Sequence, residues 1–248
     1  MLKPSGMENK SIHILSTRPV SQSVVAAAAG KGINVDTLSF IDTEPIQDAS
    51  LAERIQQLSS EDCIVIFTSM NAAEVVISHL KEKKTSWHIF SMGNSTRLII
   101  ERHFGIKGIA ATANNAEELA KKLLTWKYAT GTDGRVVFFC GDQRRDELPN
   151  VLHAKHIALE EVVTYKTILR HHVINKVYNA VLFFSPSAVH SFFTTNTSQN
   201  GCTYFAIGQT TANAIKTYSS ENIITGITPS KDQLLEEAIE YFSNRIKN

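Results

Sequence analysis

The sequence predicts an α/β protein of two similar units, each a five-stranded parallel sheet flanked by helices. Three observations predict it. Short apolar runs rich in Val, Ile and Phe alternate with longer helix-like segments, the pattern of parallel strands covered on both faces. Two long stretches of the chain repeat each other element by element. With 248 residues, 43% hydrophobic and 20% charged, the chain is long enough for two cores, and its composition excludes disorder and fibre.

The elements follow in chain order. Met1 to Lys10 is polar and the apolar run after it is short, so neither a signal peptide nor a membrane span is expected. Ile12 to Ser16 is the first buried strand, and Leu38 to Pro45 is an extended, polar and β-branched segment. Strands follow at Cys63 to Thr68 and His88 to Met92. Glu117, Glu118, Leu119, Ala120, Leu123 and Leu124 mark a helix with acids in its first turn, where the helix dipole favours them. Arg135 to Cys140 is a strand, Glu161 to Thr167 a second extended segment, and Ala180 to Phe184 and Tyr204 to Ile207 are further buried strands. The last helix places Leu234, Leu235, Ala238, Ile239 and Phe242 on one stripe and Glu236, Glu237 and Glu240 on the other. Ten strands are expected in all.

The repeat sets the organisation. Val65-Ile-Phe-Thr-Ser-Met-Asn-Ala72 resembles Val181-Leu-Phe-Phe-Ser-Pro-Ser-Ala188, and Phe90-Ser-Met-Gly-Asn-Ser-Thr96 answers Phe205-Ala-Ile-Gly-Gln-Thr-Thr211. Gly93 and Gly208 are 115 positions apart, and Leu119 and Leu234 keep that spacing. Ile12 to Thr43 matches Val136 to Thr167 more loosely, at a spacing near 124. The extended segments at 38–45 and 161–167 fall at equivalent places, and each could cross between domains. Two crossings would leave the middle of the chain as one domain inserted into the other.

In a parallel α/β sheet, ligands bind beyond the carboxyl ends of the strands, where helix N-termini present unpaired N–H groups. Those ends are marked here by Ser16-Thr-Arg-Pro19, Thr68-Ser-Met-Asn71, Gly93-Asn-Ser-Thr96, Gly141-Asp-Gln-Arg-Arg145, Ser185-Pro-Ser187 and Gly208-Gln-Thr-Thr211. A Ser or Thr at a helix start is ordinarily a plain cap, and an Arg is ordinarily solvated or paired with a local acid such as Asp142 or Asp146. Because the set occurs in both repeats, however, two facing domains would line a cleft with amide, hydroxyl and guanidinium donors. A large polyanion is implied. With 25 Lys and Arg against 24 Asp and Glu, no global field attracts nucleic acid or an anionic membrane.

Absences narrow the chemistry. Dinucleotide, P-loop and zincin motifs are missing, and no Gly-x-Ser-x-Gly elbow accompanies the serines. Nine scattered His, with only His171 and His172 adjoining, do not suggest a metal. Cys63, Cys140 and Cys202 are odd in number and lie in or beside apolar runs, which fits a reducing cytoplasm.

Six segments together resemble the uroporphyrinogen-III synthase family: Leu15-Ser-Thr-Arg-Pro19, Phe67-Thr-Ser-Met-Asn-Ala72, Gly93-Asn-Ser-Thr96, Val162-Val-Thr-Tyr-Lys-Thr167, Phe183-Phe-Ser-Pro-Ser-Ala-Val189 and Ala206-Ile-Gly-Gln-Thr-Thr-Ala212. Each is weak alone, but their shared order, from Ile12 to about Phe242, is specific. The resemblance implies two flavodoxin-like domains joined by a two-stranded β-ladder. Residues 10–40 with 172–248 would form one domain and 41–171, including the linker strands, the other.

The family's activity closes hydroxymethylbilane, an octacarboxylate, into uroporphyrinogen III with inversion of ring D and loss of water, on the route to heme. This implies a cyclising hydro-lyase that needs no cofactor and no metal, with no nucleic-acid or membrane partner, in the cytoplasm; nothing in the sequence demands more than a monomer. Tyr165 matches the family's cleft tyrosine and is expected as general acid, the alternative being a linker aromatic that packs between domains. Thr96, Ser187, Thr210 and Thr211 match hydroxyl positions expected to bind acetate and propionate groups. Arg18, Ser69, Asn71, Arg144 and Ser185 are further candidates at equivalent strand ends. Met70 stands where the second repeat has Pro186, so the two turns need not share a geometry. A competing reading is a non-catalytic two-domain protein that captures an anionic metabolite.

Overall fold

The structure, a computed structural model, describes residues 11–228 and 230–246. The polar N-terminus expected over Met1 to Lys10 and the expected domain limits at Lys10 and Asn248 lie outside the described residues. In chain order the first elements are β1 (Ile12–Ser16), α1 (Gln22–Ala29), β2 (Ile33–Thr37), β3 (Ile41–Pro45), α2 (Ala49–Leu58), β4 (Cys63–Phe67) and α3 (Met70–Leu80). Next come β5 (His88–Met92), α4 (Asn94–Phe104), a 3-10 turn (Ile106–Gly108), β6 (Ile109–Ala113), α5 (Ala116–Thr130), β7 (Arg135–Gly141) and α6 (Glu147–Ala154). The chain ends with β8 (Leu159–Leu169), β9 (Ala180–Phe183), α7 (Pro186–Thr195), β10 (Thr203–Ala206), α8 (Gln209–Lys216), β11 (Ile223–Thr225) and α9 (Lys231–Ile246).

These elements form two compact units. One runs to Asp42 and resumes at Leu169; the other spans Thr43–Ile168. In the unit that contains both chain ends, the strands order as β11-β10-β9-β1-β2, all parallel. The second unit's sheet orders as β3-β8-β7-β4-β5-β6, and its β8-β7-β4-β5-β6 portion is parallel. Read from the strands that the repeat aligns, β2-β1-β9-β10-β11 and β8-β7-β4-β5-β6 are the same order.

The second sheet departs from the expected count. It has six strands rather than five, because β3 adds to the edge beside β8. The amide of Ile46 donates to Thr164 O at 2.9 Å and that of Arg170 to Phe40 O at 2.9 Å. Rising numbers on one side meet falling numbers on the other, so this pair is antiparallel. Eleven strands are described, one more than the pattern predicts.

The parallel α/β class itself is as expected, and the physical reason is visible in the strands. Cys63–Phe67 is buried at every residue. Val65 and Phe67 join a cluster with Val75, Val76, Ile89 and Phe139 on one face of the sheet, while Ile64 and Ile66 join Leu119, Leu123, Phe138 and Leu152 on the other. The first unit does the same, with Leu15, Val181, Phe183 and Tyr204 on one face and Ile14, Leu182, Phe205 and Leu235 on the other. Strands buried on both faces read as unbroken apolar runs.

Helix ends are also legible. Asn115 caps α5 by accepting from the Glu118 amide at 2.9 Å, and the Glu118 carboxylate accepts from the Asn114 amide at 3.0 Å. The helix stops at Gly131, whose φ of 66° is the left-handed conformation that favours glycine. No described helix is long and apolar enough to cross a membrane.

Candidate functional site

Parallel strands end at one edge, so register decides which loops meet. In the second unit Phe67 pairs with Phe139 and with Ser91, and Gly141 pairs with Tyr165. The turns after β4, β5 and β7 and the middle of the long β8 therefore converge at one carboxyl edge.

Tyr165 is fixed there by its backbone and by its ring. Its carbonyl accepts from the Asp142 amide at 3.1 Å, while the Asp142 carboxylate accepts from the Thr167 amide at 2.8 Å. The preceding Thr164 is buried and its hydroxyl donates to Cys140 O at 3.1 Å. The half-buried ring packs against the cluster that contains Phe67 and Phe139. It also lies over Gly141, where a Cβ would stand 2.4 Å from the ring's Cζ. The phenol oxygen is 3.0 Å from Ser69 Oγ.

Ser69 is the N-cap residue of α3 but makes no side-chain cap bond. Asn71, in the first turn of that helix, donates from Nδ2 to Thr43 Oγ1 at 3.0 Å. Thr96 is 4% exposed in the first turn of α4, whose N-cap Gly93 adopts φ 83° and brings no side chain. Arg144 is at the same edge but already engaged. Its guanidinium bonds Glu161, with one contact at 2.8 Å, and also Asp146. These hydrogen bonds, Glu161 foremost, push its pKa up and leave it an ion-paired residue rather than an open donor.

The first unit builds a second edge from β1, β9 and β10. Ser16 pairs with Leu182 and Phe183 with Ala206, so Arg18, Ser185 and Gly208 follow on neighbouring strands. Ser185 caps α7, accepting from the Ala188 amide at 3.2 Å. Ser187 follows Pro186 in the first turn and is half-buried. Thr210 is exposed and Thr211 is 3% exposed in the first turn of α8, whose N-cap Gly208 has no side chain to cap it. Arg18 is half-buried, and its carbonyl accepts from Ser16 Oγ at 2.6 Å.

The sequence-predicted residues thus fall into two sets, one per unit. Ser69, Asn71, Thr96, Arg144 and Tyr165 share one edge; Arg18, Ser185, Ser187, Thr210 and Thr211 share the other. Three further residues shape these edges without having been singled out for it. Gly141 makes room for the tyrosine, Thr43 holds Asn71, and Thr17 ties β1 to β9 by donating to Leu182 O at 2.7 Å. The signal for Gly141 was a glycine closing an otherwise bulky strand, Val136-Val-Phe-Phe-Cys-Gly141.

The cysteines and the two adjoining histidines are taken up structurally. Burial pushes the thiols up, Cys140 to about 11 and Cys202 to about 12, with Cys63 also raised. His172 meets Ser39 O at 3.1 Å and His171 meets Ser191 O at 3.4 Å. Among the described residues, no group of three or more His, Cys, Asp or Glu could hold a metal ion.

Comparison with known proteins agrees with this architecture. Two crystal structures share the fold. Uroporphyrinogen-III synthetase from Helicobacter pylori matches with a TM-score of 0.62 at 16% identity, over 93% of this chain and 99% of that one. A mutant uroporphyrinogen III synthase from the extremely thermophilic bacterium Thermus thermophilus matches with a TM-score of 0.58 at 12% identity, over 94% of this chain and 99% of that one. The family model described as uroporphyrinogen-III synthase HemD matches residues 22–236. With most of its length inside that match, the chain belongs to the uroporphyrinogen-III synthase family.

Proposed function

We propose that this protein is a uroporphyrinogen-III synthase, a cyclising hydro-lyase that converts hydroxymethylbilane to uroporphyrinogen III. The observation that carries the reading is the tyrosine of the family motif, held at a strand-end edge with its hydroxyl group fixed by Ser69.

The chemistry follows from what such a phenol can do. Tyr165 donates its proton to the departing hydroxyl of the linear substrate, the C–O bond breaks, and water leaves. The pyrrole nitrogen supplies the electron pair, which gives an azafulvene cation and removes any need for a cofactor. Attack by the substituted carbon of the last ring forms a spiro intermediate, whose rearrangement and closure invert ring D. The proton lost on rearomatisation restores the phenol. The protein's larger task is orientation, since attack by the free carbon gives the type I isomer instead.

Carboxylate binding is assigned to hydroxyls and helix amides. Thr96, Asn71 and the open first turn of α4 serve in one unit; Ser185, Ser187, Thr210, Thr211 and Arg18 serve in the other. Arg144 acts through its ion pair with Glu161, which shapes the turn after β7. The units are read as flavodoxin-like domains, 10–40 with 172–248 and 41–171, with β3 and β8 as a linking ladder. The shared strand order and the unit boundaries at 42/43 and 168/169 support that division. A monomer in the cytoplasm completes the reading.

Product analysis tests it. Incubation with freshly generated hydroxymethylbilane, followed by oxidation and separation of the uroporphyrin isomers, is expected to yield type III. Only type I product, the spontaneous outcome, would sink the assignment and favour a binding protein.

A further inference from the structure

We propose that Ser69 is a positioning residue, whose hydroxyl donates to the Tyr165 phenol oxygen rather than to substrate or to its own helix. The inference rests on the synthase reading and assigns Ser69 a part in it different from that of the other strand-end hydroxyls.

The duplication supplies an internal comparison. Ser69 and Ser185 hold the same place in the two repeats, each the N-cap of a helix that follows a buried strand. Their backbones are alike, with φ −137° and ψ 135° at Ser69 and φ −161° and ψ 155° at Ser185. Their hydroxyls are not. Ser185 Oγ accepts from the Ala188 amide at 3.2 Å as an ordinary cap, whereas Ser69 Oγ caps nothing and sits 3.0 Å from the phenol. A serine that gives up its cap bond is being used elsewhere.

Glycine supplies the second observation. A methyl group at Gly141 would lie 2.4 Å from Tyr165 Cζ, 2.5 Å from Cε2 and 2.7 Å from the hydroxyl oxygen. Tyr165 can occupy its place beside Ser69 only because β7 ends without a side chain. The corresponding end of β1 carries Thr17, whose hydroxyl is spent on Leu182 O.

Chemistry fixes the direction of the bond. A phenol has one proton, and if it went to Ser69 it could not go to the leaving hydroxyl. With the serine as donor, the phenol proton is free to face substrate. The same hydrogen bond then strengthens as the phenol oxygen gains charge, so its effect belongs to kcat rather than KM.

Four variants test this: Ser69→Ala, Ser69→Thr, Tyr165→Phe and the Ser69→Ala, Tyr165→Phe double variant. Ser69→Ala is expected to lower kcat about 10-fold, less than the roughly 100-fold or more that a general acid itself contributes, with KM within about twofold. Ser69→Thr should recover most of the loss, and Ser69→Ala should add nothing once Tyr165 is Phe. The melting temperature of Ser69→Ala should match that of the unsubstituted protein, while Ser185→Ala, which loses a cap, should melt about 2–4 °C lower.

Several results would overturn the proposal. A raised KM with unchanged kcat would make Ser69 a substrate ligand. An additive loss in the Tyr165→Phe background would break the link to the phenol, and a lowered melting temperature for Ser69→Ala would return the serine to helix capping. Gly141→Ala is an independent check, expected to lower kcat at least as far as Ser69→Ala does; full activity would refute the packing argument. Failure of the synthase reading is distinguishable, because it would appear as type I product from the unsubstituted protein.

Discussion

Tyr165 shows how far a single residue can be read. Its place in Val162-Val-Thr-Tyr-Lys-Thr167 resembles that of the family's cleft tyrosine, and phenol chemistry suits the general-acid role proposed for it. Replacement by Phe keeps the ring that packs on Gly141 and removes only the hydroxyl. The expected outcome is a roughly 10- to 100-fold lower closure rate, reaching only the low end of such contributions, and unchanged turnover would retire the role. What the motif does not show is the partner. Ser69 lies 96 positions away, and its own segment, which differs from that of Ser185 by Met70 in place of Pro186, does not name the tyrosine as its partner. Arg144 teaches the same lesson from the opposite side. A guanidinium beyond a strand end reads as an anion ligand, but Glu161, 17 positions on, takes two of its nitrogens. Local acids were foreseeable partners; an acid on the adjacent strand becomes one only through the register of β7 on β8.

At the scale of elements, the buried strands were the most legible because burial on both faces demands continuous apolar runs. Predicted and observed ends of β4, β9 and β10 agree within a residue. The start of α5 was legible too, from the acids in its first turn, although its cap Asn115 was not. Asn115→Ala removes the bond to the Glu118 amide, and thermal melting should report a loss of about 1 kcal/mol, or about 2–4 °C. Edge pairing was not legible from the residue pattern, since a polar extended segment such as Ile41–Pro45 reads equally as a strand or a crossing loop; the expected ladder came only from the family resemblance.

Another unforeseen tie joins β2 to the segment before β9, where Asp36 accepts from Lys176 at 2.5 Å and from Tyr178 at 2.9 Å. Burial, then the Asp36 carboxylate, pushes the Tyr178 phenol up to about 12. A group whose pKa is raised by folding stabilises the fold below its unfolded value, near 10, and that contribution fades as pH climbs through 12. Denaturant titrations between pH 9 and about 12 should therefore show a loss of stability that is smaller in Tyr178→Phe. An equal loss in both proteins would place the alkaline effect elsewhere. On the acid side the sign reverses. The Lys176 hydrogen bond leads in holding Asp36 below its ordinary 3.8, so that part of the stability is present at neutral pH and lost as pH falls below that value.

For the whole molecule, charge balance bears on the proposed mode of substrate binding. Twenty-five cations against 24 anions give the chain no net excess of basic charge for an octacarboxylate, so the proposed donors are chiefly hydroxyls and the amides of helix first turns, with Arg18 the one proposed cation. A basic groove that neutralised that many charges would lose affinity by orders of magnitude between about 50 and 200 mM salt. Here KM is expected to rise less than about tenfold over that range, because the proposed donors other than Arg18 are uncharged and release no counterions. A steeper rise would point to free cations at the site.

The sequence by itself determined the parallel α/β class, the duplication and the family, since each rests on patterns that survive in one dimension: apolar runs, spacing and ordered motifs. It also located the strand ends at which the candidate residues gather. Only the tertiary structure decided how those ends are used. Ser69 and Ser185 are the same residue at equivalent helix starts, yet one turns to a tyrosine and the other to its helix. The difference arises because a side chain's hydrogen-bond partner is set by sheet order and register, which bring β8 beside β7 and leave at Gly141 the space that Tyr165 fills.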